Sequence, residues 1–121
     1  MTTPIHHVEV SVSDLERSRA FYKSLLLALG WNEARPGMYL KDGCEIYLKA
    51  TTGAEHGPHY GARHICLRAS SREEVDRVGA LLAAAKVPTL RGPKSMLEYG
   101  PTYYTVDFRD PDGFVLEVAH D

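Results

Sequence analysis

His7-Val8-Glu9-Val10-Ser11-Val12-Ser13-Asp14-Leu15-Glu16 has an echo later in the chain, His64-Ile65-Cys66-Leu67-Arg68-Ala69-Ser70-Ser71-Arg72-Glu73. Each stretch begins with His, alternates for about six residues and ends in Ser-x-x-Glu. Alternation of period two marks a half-buried strand, because successive side chains point to opposite faces. Ser-x-x-Glu, at Ser13/Glu16 and at Ser70/Glu73, reads as a capping box, in which two side chains satisfy the free N–H groups of a helix start. The chain therefore opens strand then helix, twice.

Helical spacing follows each box. Leu15, Ser18, Tyr22, Leu25, Leu26 and Leu29 share one stripe, with Gly30 as its stop. Val75, Val78, Leu82 and Ala85 share the second, with Pro88 ending it. Each half then closes in an Asp-Gly hairpin, at Asp42-Gly43 and within Asp110-Pro111-Asp112-Gly113. Aligning Gly43 with Gly113 sets Tyr47 opposite Glu117 in the repeat. One more strand fits between helix and hairpin, around residues 31–34 and 89–92. The unit is β-α-β-β-β, repeated within one domain spanning 1–121, with module one about 4–52 and module two about 62–121. Gly53, Gly57, Pro58 and Gly61 mark an irregular connection over 51–63, and the stretch from Gly92 to Pro101 reads as a pocket-edge loop.

Composition narrows the function classes. The 121 residues are 44% hydrophobic and 25% charged, which excludes a disordered or low-complexity chain. A net charge of -2 and the lack of a basic stripe argue against nucleic acid. No apolar run approaches the ~18 residues of a membrane span. Met1-Thr2-Thr3-Pro4 lacks the features of a signal peptide. Two cysteines, Cys44 and Cys66, make no disulfide framework, so the expectation is a cytoplasmic protein with reduced thiols.

The strand faces divide the same way four times. Val8, Val10 and Val12 oppose His7, Glu9 and Ser11; Ile65, Leu67 and Ala69 oppose His64, Cys66 and Arg68. Ile46 and Leu48 oppose Glu45, Tyr47 and Lys49; Leu116 and Val118 oppose Val115, Glu117 and Ala119. The apolar faces suit helices, and the other faces hold ionisable side chains, which fits an α+β architecture. Two His at equivalent repeat positions and a carboxylate on the matching face suit a metal site. They equally suit solvated strand residues, so both readings stay open at this point.

The stretch from Ile5 to Tyr22 (Asp14-Leu15, Ser18 and Phe21-Tyr22 above all) and Asp110-Pro111-Asp112-Gly113-Phe114-Val115-Leu116-Glu117 resemble the vicinal oxygen chelate superfamily. That superfamily includes glyoxalase I, fosfomycin-resistance enzymes, extradiol dioxygenases and bleomycin-resistance proteins, and the resemblance covers nearly the whole chain. It implies two βαβββ modules forming an eight-stranded, cup-shaped open barrel with helices outside. It implies metal ligands at His7, His64 and Glu117, with His6 ranked below His7 because it points to the other face. The fourth ligand of glyoxalase I falls on Tyr47, with Glu45 one pleat away, which argues against glyoxalase I activity.

From this follows an expectation of a metal-dependent lyase, transferase or dioxygenase, chelating adjacent oxygens of a small substrate at a two-His, one-carboxylate site. The cofactor is one divalent transition metal (Fe, Mn, Ni, Co or Zn) acting as a Lewis acid. Tyr47 is the catalytic candidate, a hydrogen-bond donor at the open position. Glu9, Ser11, Glu45, Cys66, Arg68 and Tyr103 are the substrate-binding candidates; Tyr39, Tyr103 and Tyr104 suit an aromatic rim, with structural packing expected for at least one of them. Lys94, Ser95, His56 and His59 are candidates by position only. The resemblance also implies a homodimer with sites shared between chains. The alternative is a metal-free, bleomycin-resistance-like protein that binds a small molecule in an aromatic groove.

Overall fold

A computed structural model describes residues 3–51 and 61–121, so His56 and His59 lie outside the described residues. The chain divides after residue 60 into two compact units. Module one runs β1 (His7–Val12), α1 (Leu15–Ala28), β2 (Asn32–Arg35), β3 (Met38–Lys41) and β4 (Cys44–Ala50). Module two runs β5 (His64–Arg68), α2 (Arg72–Ala84), β6 (Thr89–Ser95), β7 (Tyr104–Arg109) and β8 (Val115–His120). Each module is a four-stranded sheet of the same topology, β1-β4-β3-β2 and β5-β8-β7-β6. The first and last strands of a module pair in parallel, and the remaining neighbours are antiparallel. The repeated βαβββ unit read from the sequence is thus present twice.

Both helices start one residue later than the boxes suggest. Asp14 caps α1 by accepting from the Arg17 N–H at 3.1 Å, and Ser71 caps α2 by accepting from the Glu74 N–H at 3.1 Å. In module two the ladder persists through Ala69, whose N–H reaches the Ala119 carbonyl at 2.8 Å. Ser71 takes the cap next to it, and the Ser70 hydroxyl bonds the Glu74 carboxylate instead. Both helices end in the same hydrogen-bond pattern. Gly30 N–H donates to the Leu27 carbonyl and Trp31 N–H to Leu26; Lys86 donates to Ala83 and Val87 to Leu82. Gly30 takes φ +84° freely, whereas Lys86 must hold φ +59°, a conformation costly for a side chain with a Cβ.

Each helix buries its stripe on one sheet face. Tyr22, Leu25, Leu26 and Leu29 pack with Val10, Val12, Ile46 and Leu48 in the core of module one. Val75, Val78 and Leu82 face the apolar side of a sheet bearing Leu67, Val106, Phe108, Leu116 and Val118. Each such side chain contributes about 1.5–3 kcal/mol on burial. Tyr39 belongs to this core and not to an aromatic rim: it is fully buried, and its hydroxyl donates to the Arg19 carbonyl at 3.3 Å.

The hairpins differ. Asp42 and Gly43 both take positive φ and join β3 to β4 in a two-residue turn. Between β7 and β8 the loop is longer, and Asp110 organises it: one carboxylate oxygen accepts from the N–H groups of Asp112 and Phe114, both at 2.9 Å. Strand β6 is longer than expected and irregular, its register slipping between Arg91 and Lys94. Gly92 sits at the slip with φ +79°, and a Cβ there would lie 2.2 Å from the Thr105 carbonyl oxygen.

Candidate functional site

The face of each sheet opposite its helix carries the candidate residues, and register decides which of them meet. In module two, Cys66 pairs with Glu117, Glu117 with Asp107, and Asp107 with Arg91. One polar row therefore crosses all four strands. Its centre is Glu117, 5% exposed. The Tyr103 hydroxyl donates to Glu117 Oε2 at 2.8 Å, and the Thr105 hydroxyl lies 2.6 Å from the same oxygen. Oε1 lies 3.3 Å from His64 Nε2. Arg91 approaches from the far strand, 2.9 Å from Asp107 Oδ2 and 3.9 Å from Glu117 Oε2. A buried carboxylate requires this kind of compensation, since desolvation of a lone charge costs several kcal/mol.

Electrostatics follow from that centre. Partial desolvation and the neighbouring Glu117 carboxylate push the Cys66 thiol up to about 11. Burial and its hydrogen bond to Glu117 raise the Tyr103 phenol above its ordinary range, so it acts as a donor. Beside this row lies a groove of about 280 Å³ lined by Cys66, Arg68, Tyr103, Ala119, His120 and Asp121. Three of the expected substrate-contacting residues, Cys66, Arg68 and Tyr103, thus share one cavity wall. The Arg68 guanidinium reaches out of the sheet to Asp121 at 3.0 Å.

Module one presents a plainer face. His7 pairs with Glu45, Glu9 with Tyr47 and Ser11 with Lys49. His7, Glu9 and Ser11 are exposed, and Glu45 and Tyr47 are half-buried. The His7 ring lies 5.5 Å from that of Tyr47. His6 does not turn away from His7 as alternation suggests, because it precedes the strand: the two Nδ1 atoms are 2.9 Å apart and the rings meet edge-on. The ion pairs of module one lie away from this face, where Arg19 and Lys23 hold Glu33 at 3.0 and 3.4 Å. The Arg19 hydrogen bond draws the Glu33 carboxyl down to about 2.

Tyr104 is also not part of a rim. Alternation along β7 turns it to the helix side, where its hydroxyl donates to Asp76 at 2.5 Å and the Arg72 guanidinium lies 4.0 Å above its ring. Sequence reading missed Thr105, Asp107 and Arg91. The first two were visible in the alternation with Val106 and Phe108; Arg91 was not, since the slip in β6 sets its register.

Residues 4–118 match the model of the Glyoxalase/Bleomycin resistance protein/Dioxygenase superfamily. The chain belongs to this superfamily. It is 30% identical to the uncharacterized protein YqjT of Bacillus subtilis (strain 168), over 95% of this chain and 97% of that one. Among solved structures, a glyoxalase-like protein of Bacillus halodurans matches with a TM-score of 0.80 at 28% identity, covering 98% of this chain and 96% of its own. A glyoxalase/bleomycin resistance protein of Albidiferax ferrireducens T118 matches with a TM-score of 0.76 at 28% identity, covering 98% and 99%.

The superfamily's metal centre does not carry over as expected. Among the described residues, no group of three or more His, Cys, Asp or Glu side chains is placed to hold a metal ion. His7, His64 and Glu117 therefore do not form the expected two-His, one-carboxylate site, and the expected divalent Fe, Mn, Ni, Co or Zn has no three-residue ligand set among the described residues. The donor chemistry gives the reason. Glu117 Oε2 already takes two hydroxyl donors, with a guanidinium beside it. A carboxylate satisfied by Tyr103, Thr105 and Arg91 is compensated by protein groups, and His64 alone remains beside it. His7 is engaged with His6. Among the described residues no helix is long and apolar enough to cross a membrane.

Proposed function

We propose that this protein is a metal-free, bleomycin-resistance-like binder of a small molecule, taken up in the groove of module two. The observation that carries the reading is the pairing of that groove with a buried Glu117 whose charge is met by protein donors. The superfamily holds both catalysts and binding proteins, and a carboxylate so engaged supports the binding role over metal chemistry. Arg68 supplies a cation, Tyr103 an aromatic wall, and Cys66 and Ala119 a small, uncharged floor. Ligand sites of this kind are mostly apolar with a few placed polar groups, and a cavity near 280 Å³ suits a compact ligand. Glu9, Ser11, Glu45 and Tyr47 form the corresponding surface of module one, proposed as a secondary contact. The resemblance further supports a homodimer in which a module of one copy meets a module of the next, a matter for light scattering. The two free cysteines support a cytoplasmic setting.

The test is heteronuclear NMR on chelator-treated protein, titrated with small aromatic acids, amides and amines. At least one class should shift the amides of Cys66, Tyr103 and Ala119, with an affinity that added Mn, Fe, Ni, Co or Zn leaves unchanged. Binding that appears only after a divalent ion is added would sink the proposal.

A further inference from the structure

We propose that the ligand of the module two groove is a small organic carboxylate, and that the Asp121 side chain occupies its anion position in the free protein. This rests on the binding reading above and names the chemical class it takes. Among the described residues, Arg68 is the cation lining the groove, and its ion-pair partner is Asp121. The contact is one Nη1 to one Oδ1 at 3.0 Å, so a planar fork built for two parallel hydrogen bonds is used on one prong. Both side chains are largely exposed, 80% for Arg68 and 59% for Asp121. A pair so solvated is weak, and a ligand carboxylate exchanging for Asp121 gives up little.

The rest of the groove fits the same class. Glu117, the carboxylate nearest the floor, is buried and engaged by Tyr103 and Thr105, with Arg91 on its far side. The Cys66 thiol beside it stays protonated at neutral pH. The wall facing Arg68 is thus not a bare negative charge. The ring of Tyr103, T-shaped against Tyr99 at 5.5 Å, offers an aromatic edge for the organic part of the ligand.

Benzoate is the probe, benzamide its neutral isostere, and both are titrated by NMR into wild type, Arg68→Gln and Asp121→Asn. Benzoate should bind wild type and weaken about three- to fivefold in Arg68→Gln, the loss of one solvent-exposed charge contact. It should tighten about two- to fivefold in Asp121→Asn, where the internal competitor is gone. Benzamide should respond to neither substitution. Benzoate affinity unmoved by Arg68→Gln, or weakened in Asp121→Asn, overturns the proposal. Benzamide shifting the groove while benzoate does not overturns the carboxylate assignment and leaves the binding reading standing. If no compound of the wider panel shifts the groove, both fall together.

Discussion

Two rows of side chains occupy equivalent places in the two modules and have opposite characters. Glu9, Tyr47, Met38 and Arg35 cross the sheet of module one; Cys66, Glu117, Asp107 and Arg91 cross that of module two. Topology, pairing direction and register agree across each. In module one the central position is a half-buried phenol. In module two it is a buried carboxylate, held by two hydroxyls and flanked by a guanidinium. A duplicated scaffold fixes where side chains point, while the residues placed there decide whether the face is a solvated surface or an electrostatic centre.

The sharpest way to break that contrast is to remove its two centres in turn. Glu117→Ala should cost about 3 kcal/mol, because it removes the buried acceptor shared by the Tyr103 and Thr105 hydroxyls and leaves a cavity. Tyr47→Ala, at the equivalent place, should cost about 1 kcal/mol. Urea denaturation of both variants checks the ratio, and equal losses would erase the distinction drawn here. Gly92→Ala should follow at about 2–3 kcal/mol, since its Cβ meets the Thr105 carbonyl at a positive φ. By contrast, a Cβ at Gly37 of module one, also at positive φ, meets only ordinary contacts, the nearest at 3.7 Å. Gly37→Ala should therefore cost about 1 kcal/mol, the backbone preference alone.

A gentler probe is acid. Glu33 of module one has its folded pKa drawn to about 2 from an ordinary 4.5 by Arg19 and Lys23. A depressed carboxyl contributes stability that is present above its unfolded value and lost as pH falls toward the folded one. Wild type should thus lose urea resistance from pH 5 to pH 2, and Glu33→Gln should lose less; identical pH profiles would dismiss the ion pair. The smallest effect expected is a gain. Lys86 holds the left-handed position that Gly30 fills in module one, so Lys86→Gly should stabilise by about 0.5–1 kcal/mol in the same assay.

The fold was legible because its signals are local and doubled: alternation, helical stripes and Asp-Gly turns each occur twice. Misplaced details share a different cause. The caps sit one residue later because Asp14 and Ser71, good cap residues in extended backbone, accept the helix N–H groups in place of Ser13 and Ser70, a choice between adjacent cap formers that spacing does not settle. Chemistry alone leaves Tyr39 and Tyr104 open to a rim or a packing role, and their parity along β3 and β7 sends them to the core and to the helix. The site was half legible. His64 and Glu117 do meet, and Cys66, Arg68 and Tyr103 share a groove. The expected metal ligand set failed because the donors that satisfy Glu117 arrive from β7, the turn before it and β6, and the register of β6 is set by the slip at Gly92. Long-range pairing of that kind leaves little trace in a single sequence.

The parallel pairing of the first and last strand in each module also governs the order of events during synthesis. Among the described residues strand β1 has β4 as its one neighbour in the sheet, so His7 must wait for residues 44–50 before its backbone finds partners. Strand β5 waits for β8 in the same way, from His64 to the stretch beginning at Val115. Such distant closures are slow relative to helix formation. As the chain leaves the ribosome, each first strand therefore spends its early life as an unpaired edge. The exposed His7, Glu9 and Ser11 on β1, and His64 and Arg68 on β5, keep that edge polar on one side until its partner arrives.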